Sequence, residues 1–158
     1  MNKIVSRETL KEELNMLRQA GKTIVFTNGC FDILHVGHVR YLREAKKLAD
    51  ILVLALNSDA SVRAIKGEKR PLVPEDERAD IMAALESIDY VILFDDPTPQ
   101  QLVEYLQPDI LVKGGDWAEA AIAGADFVKA SGGRVITIPL TEGRSTTNII
   151  EKIRQVYG

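Results

Sequence analysis

The chain holds a single cysteine, Cys30, so no disulfide can form within it. That suits a reducing compartment. It also lacks a long apolar run: nothing approaches the roughly 20 residues that a membrane-spanning helix needs. Met1 to Leu17 is charged throughout and has no apolar signal core. The expectation is a soluble, cytoplasmic protein. A basic excess is missing too. Lys and Arg number 20 against 23 Asp and Glu, for a formal net charge of −3, which argues against nonspecific binding to nucleic acid. There is no complete glycine-rich Walker pattern, which excludes a P-loop. No Ser-His-Asp or Cys-His nucleophile set is apparent. Histidine is scarce: the chain has two, and they stand three residues apart.

What is present is an alternation of apolar runs and amphipathic stretches. The 158 residues, 46% of them hydrophobic, suffice for one domain with a substantial core. The reading is a single domain over 1–158, with an N-terminal helix in 1–21 and a core in 22–158. Ser6 reads as the N-cap of a helix from Arg7 to Ala20, with Leu10, Leu14 and Leu17 as its apolar stripe. Ile24-Val25-Phe26 reads as a buried strand, and Val39 to Leu48 as the helix after it. The unbroken run Ile51 to Leu56 favours a strand covered on both faces, as in a parallel sheet. Further strands are expected at Tyr90–Phe94, Ile110–Val112 and Arg134–Pro139. Helices are expected at Ala60–Ile65, from Pro74 to about Glu86, at Gln100–Leu106, over Ala118–Ala130 with a break at Gly124, and at Asn148–Val156. Strand and helix alternate, so the expected fold is α/β: a Rossmann-like, doubly wound, five-stranded parallel sheet with helices on both faces. In such a sheet ligands bind beyond the carboxyl ends of the strands.

Both histidines lie in the turn after the first strand, Thr27-Asn28-Gly29-Cys30-Phe31-Asp32-Ile33-Leu34-His35-Val36-Gly37-His38. A strand, a glycine turn and a helix N-terminus together make an anion site, because free backbone N–H groups and the positive dipole end point outward. On a helical first turn, spacing of three puts both imidazoles on one side. Gly37 leaves room for a phosphate to approach the backbone. Other candidate stretches also follow strands. Asn57-Ser58-Asp59 follows the second. The charged loop Lys66-Gly67-Glu68-Lys69-Arg70-Pro71 comes soon after, with Arg63, Lys66 and Arg70 as candidates for a basic arm over phosphates. Lys113-Gly114-Gly115-Asp116-Trp117 follows the fourth strand. Its Trp117 offers a face for a base, and Asp116 an acceptor for base or ribose. Thr141-Glu142-Gly143-Arg144-Ser145-Thr146-Thr147 follows the fifth and opens a helix with more hydroxyls than one cap needs, which makes a second phosphate patch. All of these would converge on one rim.

The first of these stretches resembles the Gly-x-Phe-Asp-x-x-His-x-Gly-His signature of the cytidylyltransferase-like nucleotidyltransferases. Gly29, Phe31, Asp32, His35, Gly37 and His38 fill every position. Ser145-Thr146-Thr147 resembles that family's C-terminal Gly-x-Ser-Thr-Thr element. Arg7-Glu8-Thr9-Leu10, Asn57-Ser58-Asp59, Arg70-Pro71 and Lys113-Gly114-Gly115-Asp116 extend the likeness to the ADP-heptose-forming adenylyltransferases of the family. The resemblance implies transfer of AMP from ATP to D-glycero-β-D-manno-heptose 1-phosphate, with Mg²⁺ carried mainly by the triphosphate. It makes His35, His38 and Lys46 catalytic. It assigns Asn28, Gly29, Cys30, Phe31, Asp32, Gly37, Lys113, Gly115, Asp116, Trp117, Gly143, Ser145, Thr146 and Thr147 to the nucleotide, and Asn57, Asp59, Arg63, Arg70 and Arg144 to the second substrate. It also implies a homodimer, to which the N-terminal helix could contribute, and a separate heptose kinase upstream.

Residue types and spacing leave alternatives open. Nothing in the spacing separates adenine from cytosine, so a cytidylyltransferase acting on glycerol 3-phosphate or a similar alcohol fits the same pattern. A nucleotide-binding regulatory module without turnover is another reading. Cys30, Asp32, His35 and His38 could be taken for a metal site, although the pattern matches no usual zinc spacing. Lys46 and Lys47 could equally be solvated lysines of an exposed helix face.

Overall fold

A computed structural model describes residues 2–115 and 117–158. Five parallel strands form one sheet in the order β3-β2-β1-β4-β5: β1 (Ile24–Gly29), β2 (Ile51–Asn57), β3 (Tyr90–Phe94), β4 (Ile110–Gly114) and β5 (Arg134–Ile138). Helices α1 (Arg7–Gln19), α5 (Gln100–Leu106) and α6 (Ala125–Ala130) cover one face. Helices α2 (Val36–Lys46) and α4 (Glu75–Ala83) cover the other. This is the expected Rossmann-like α/β fold.

The strand residues alternate between the two cores. Ile24 and Phe26 of β1 join Leu10, Leu14, Leu102 and Val103 on one side, while Val25 joins Tyr41, Leu42 and Met82 on the other. Period-2 alternation with both faces covered is why β2 reads as an unbroken apolar run. The leucine stripe of α1 is inside: Leu10 and Leu14 are fully buried, and each such side chain contributes about 1.5–3 kcal/mol by leaving water. Ahead of α1 the chain is part of the sheet. Ile4 bridges Val91 in parallel, with Val5 N–H donating to the Val91 carbonyl (3.1 Å) and Val91 N–H to that of Lys3 (2.8 Å).

Local caps act where the sequence places them. Ser6 accepts from Thr9 N–H, and Ser58 from Ser61 N–H at the start of α3 (Asp59–Lys66). The helical stretch expected over Ala118–Ala130 breaks at Gly124, where the break is expected. Gly124, at φ +87, divides it into a 3₁₀ turn (Glu119–Ala121) and α6. A Cβ there would fall 2.8 Å from Val103 Cγ1, so close packing against α5 also demands glycine. The crossovers change face between β1 and β4, so the switch point lies at the carboxyl ends of those two strands. The last helix, α7 (Thr146–Tyr157), returns toward that point with its N-terminus.

Candidate active site

The turn after β1 is built around two glycines that make room for rings. A Cβ on Gly29 would fall 2.6 Å from the Phe31 ring, so glycine lets that ring tuck beneath the strand end. Phe31 adopts φ 45°, is nearly buried, and meets the His38 ring edge-on with centroids 5.0 Å apart. A Cβ on Gly37 would fall 2.9 Å from His35 Nδ1. The space expected there for phosphate is therefore occupied by the His35 imidazole, which folds back over the helix start.

His35 is the N-cap of α2. Its Nδ1 accepts from Gly37 N–H at 3.1 Å, and His38 Nδ1 accepts from His35 N–H at 3.4 Å. The rings stack with centroids 3.8 Å apart. Because each Nδ1 is an acceptor, the neutral imidazoles carry their protons on Nε2. Both are held neutral. Burial, then the neighbouring His35, pushes His38 down to about 4. Burial, then the charge of Arg144, lowers His35. The result is a pair of neutral N–H donors at the positive end of a helix.

These donors line a cleft of about 770 Å³, within the about 300–1,000 Å³ usual for small-molecule sites. Asn28 to Asp32 and Gly37 line it from β1, and Asn57 and Arg70 from the β2 side. Lys113 and Trp117 enter from β4, and Arg144, Ser145, Thr146 and Thr147 from beyond β5. Lys113 is lowered chiefly by burial, and its Nζ lies 5.3 Å from the centroid of the half-exposed Trp117 ring. Burial raises the Cys30 thiol against the pull of Lys66, Arg78 and Arg70, so it stays protonated and is no nucleophile. Ser145 caps α7 by accepting from Asn148 N–H at 3.0 Å, and the Thr146 hydroxyl donates to the Ile33 carbonyl at 3.3 Å. The N-termini of α2 and α7 thus share one cleft.

Several expected residues serve elsewhere. Lys46 does not line the cleft: its Nζ bonds Asp89 Oδ2 at 2.6 Å and the Asp50 carbonyl. Eight residues past His38 is about 12 Å along a helix, which carries Lys46 to the opposite rim. Asp59 is held by Arg78 at 2.8 Å and does not line the cleft, and Arg63 is exposed outside it. Asp32 lines the cleft but is a tether. Its buried carboxylate accepts from Arg70 Nε at 2.5 Å and from the N–H groups of Leu72 and Val73 at 2.9 Å. Burial pushes its carboxyl up, and the Val73 and Leu72 N–H groups with Arg70 outweigh that, leaving it below the ordinary value. Gly115, at φ +94, donates to Ile138 and joins β4 to β5, and Gly143, at φ +69, forms the turn before α7; neither lines the cleft. Asp116 lies outside the described residues.

Two features matter more in the structure than the sequence suggests; Arg78 stands there only in a helical Glu77-Arg78 pair, which the family resemblance shares but which is common by chance. Arg78 is 1% exposed and donates to the carbonyls of Cys30 (2.6 Å), Asn57 (2.9 Å) and Val73 (2.9 Å) as well as to Asp59. It pins the loops after β1 and β2 together beneath the cleft. Its signal was its register with buried Met82, one helical turn away. Pro97, Thr98 and Pro99 also line the cleft, and they follow a strand like the other stretches. Among the described residues no group of three or more His, Cys, Asp or Glu side chains is placed to hold a metal ion, and no helix is long and apolar enough to cross a membrane.

A family model described as cytidylyltransferase-like matches residues 26–152. The bifunctional protein HldE of Syntrophotalea carbinolica is 58% identical over 156 residues, spanning 99% of this chain and 32% of that protein. HldE of Trichlorobacter lovleyi is 56% identical, with the same coverage. The chain therefore spans about a third of the length of these curated relatives. Among solved structures, the lipopolysaccharide core biosynthesis protein from Thermoplasma volcanium matches at a TM-score of 0.64 and 31% identity, over 78% of this chain and 100% of that one.

Proposed function

Because the chain belongs to the cytidylyltransferase-like family, we propose that its cleft transfers AMP from ATP to D-glycero-β-D-manno-heptose 1-phosphate. The products are ADP-heptose, for lipopolysaccharide core or surface glycans, and pyrophosphate. A phosphate oxygen of the sugar attacks the α-phosphorus. The bond from that phosphorus to the oxygen bridging to the β-phosphate breaks, and its electron pair leaves with pyrophosphate. The attacking phosphate is already a nucleophile, so the protein's work is positioning and charge stabilisation.

The observation that carries this reading is the stacked histidine pair, whose Nδ1 atoms are occupied so that two Nε2–H donors serve the cleft. They stabilise the charge that builds on the departing pyrophosphate. Arg144, Lys113 and the hydroxyls at the start of α7 hold the triphosphate, and Trp117 stacks on the base. Arg70, anchored by Asp32, and Asn57 stand on the side assigned to the sugar phosphate. Mg²⁺ carried in with ATP would supply further neutralisation of the triphosphate charge. The identities to HldE and the likeness to a lipopolysaccharide core biosynthesis protein support the heptose assignment. The reading includes a cytoplasmic homodimer supplied with sugar 1-phosphate by a heptose kinase.

The test is pyrophosphate release with ATP or CTP, each offered heptose 1-phosphate or glycerol 3-phosphate. Turnover is expected with ATP and heptose 1-phosphate. Turnover with CTP and glycerol 3-phosphate instead would overturn the assignment in favour of a cytidylyltransferase. Calorimetric nucleotide binding with no pyrophosphate release in any pairing would identify a binding module.

A further inference from the structure

The two central strands part company beneath the cleft. Among the described residues, the ladder between β1 and β4 ends where Phe26 faces Leu111. Each strand keeps its other neighbour for longer. β1 pairs β2 as far as Gly29 and Leu56, and β4 pairs β5 as far as Gly114 and Ile138. The opening therefore begins at Thr27 and Val112, the next residues along. Beyond it, Asn28 and Gly29 on one side and Lys113 and Gly114 on the other line the cleft. Strands that separate leave backbone groups that need other partners.

One side chain stands at that level. Tyr41 of α2 is buried, with its hydroxyl 2.6 Å from Oγ1 of fully buried Thr27, and it donates to the Val112 carbonyl at 3.4 Å. With that proton directed at Val112, the Thr27 hydroxyl is the donor in the shorter bond. Burial pushes Tyr41 up to about 12 against the pull of the Thr27 bond, so the phenol keeps its proton through the neutral range. The ring also packs on β4: a Cβ on Gly114 would fall 3.3 Å from Tyr41 Cε2. A Thr27–Tyr41–Val112 bridge thus stands where the next rung of the ladder would be. Tyr41 lies one helical turn after His38 on the same helix. It ties the helix that carries the histidine donors to the strand that carries Lys113. We propose that Tyr41 is a positioning residue: its hydroxyl fixes the opening between β1 and β4, and with it the placement of the histidine pair relative to Lys113. Its consequence for turnover rests on the nucleotidyl-transfer reading, whereas the bridge itself does not.

Tyr41→Phe keeps the ring and removes the bridge. Amide hydrogen exchange should then quicken about tenfold or more at Asn28, Gly29, Lys113 and Gly114, and stay at wild-type rates in β3. Pyrophosphate release is measured with whichever substrate pair the wild type turns over. There kcat should fall about tenfold while KM for the triphosphate stays within about twofold, because small misplacements weigh most on the transition state. Thr27→Val leaves the ring untouched and should show the same split, and Thr27→Ser, which keeps the hydroxyl, should restore wild-type kcat. Y41F/T27V should be no slower than Tyr41→Phe alone, since both substitutions act through one bridge. Wild-type exchange rates in Tyr41→Phe would overturn the bridge. Quickened exchange with unchanged kcat, or a loss in Thr27→Val that Thr27→Ser does not restore, would overturn the positioning role. A wild type that turns over no pair would overturn the proposed function, and the exchange rates alone would then decide the bridge.

Discussion

The sheet has two rims, each with a cavity, and they treat charge in opposite ways. At the amino rim a recess of about 520 Å³ is lined by Arg18 and Asp109. Arg18 donates to the carbonyls of Leu106 and Gln107, and Asp109 accepts from Ile24 N–H at 2.8 Å. Nearby, Lys46 is tied to Asp89, and Asp50 accepts from Thr23 N–H at 2.9 Å. At the carboxyl rim the charges form two tiers. Asp32, Arg70, Arg78 and Asp59 are tied to one another or to loop backbone. Above them, among the described residues, neither histidine Nε2 nor the Arg144 guanidinium has a hydrogen-bond partner in the protein. A cavity is therefore not enough to mark a site. What distinguishes the carboxyl rim is a tied layer that holds an open layer in place.

The lower tier should give the largest effect when broken. Arg78→Met keeps volume but leaves Asp59 and three carbonyls without their donor, so urea unfolding should show a loss of about 3 kcal/mol or more. A much smaller loss would mean that the two tiers are not mechanically linked. In the open tier, His38→Ala should lower kcat by about a hundredfold or more while the urea midpoint stays near wild type. Full turnover in that variant would remove the histidine pair from catalysis.

The pH dependence of stability sharpens the contrast further. His38 is pushed from the ordinary 6.5 down to about 4 by burial first and by His35 second. Between those values the unfolded chain holds more protons than the folded one. The stability is thus fully present above pH 6.5 and lost as pH falls toward about 4. Urea midpoints across that window should decline in the wild type and flatten in His38→Gln. An equally steep decline in both would place the titration elsewhere. The smallest effect belongs to the amino rim. Lys46→Met should leave kcat unchanged and reduce stability by about 0.5–1 kcal/mol, the scale of a part-exposed pair. A large fall in kcat would return Lys46 to the site.

Much of this molecule was legible before its structure. Tyr90–Phe94 and Gln100–Leu106 have the boundaries that their apolar pattern and prolines indicate. Ser6 and Ser58 cap the helices they precede, because a cap is a contact between residues two or three apart. The cleft residues became visible because they follow strands and a parallel sheet collects its ligands at one rim. Lys46 was misplaced because helical register tells which side a residue faces and not how far along the axis it has travelled. Arg78 shows in the sequence only as part of a Glu-Arg pair on a helix, a pattern common by chance, and only loops 48, 21 and 5 residues distant in sequence explain its burial.

The amino-acid sequence by itself determined the order of strands and helices, their caps and the turn that carries both histidines, since each depends on neighbours within a few residues. Only the tertiary structure decided which polar groups are tied and which remain open to a ligand. Whether a carboxylate or guanidinium is already satisfied depends on donors and acceptors from distant loops, and no local pattern encodes their distance.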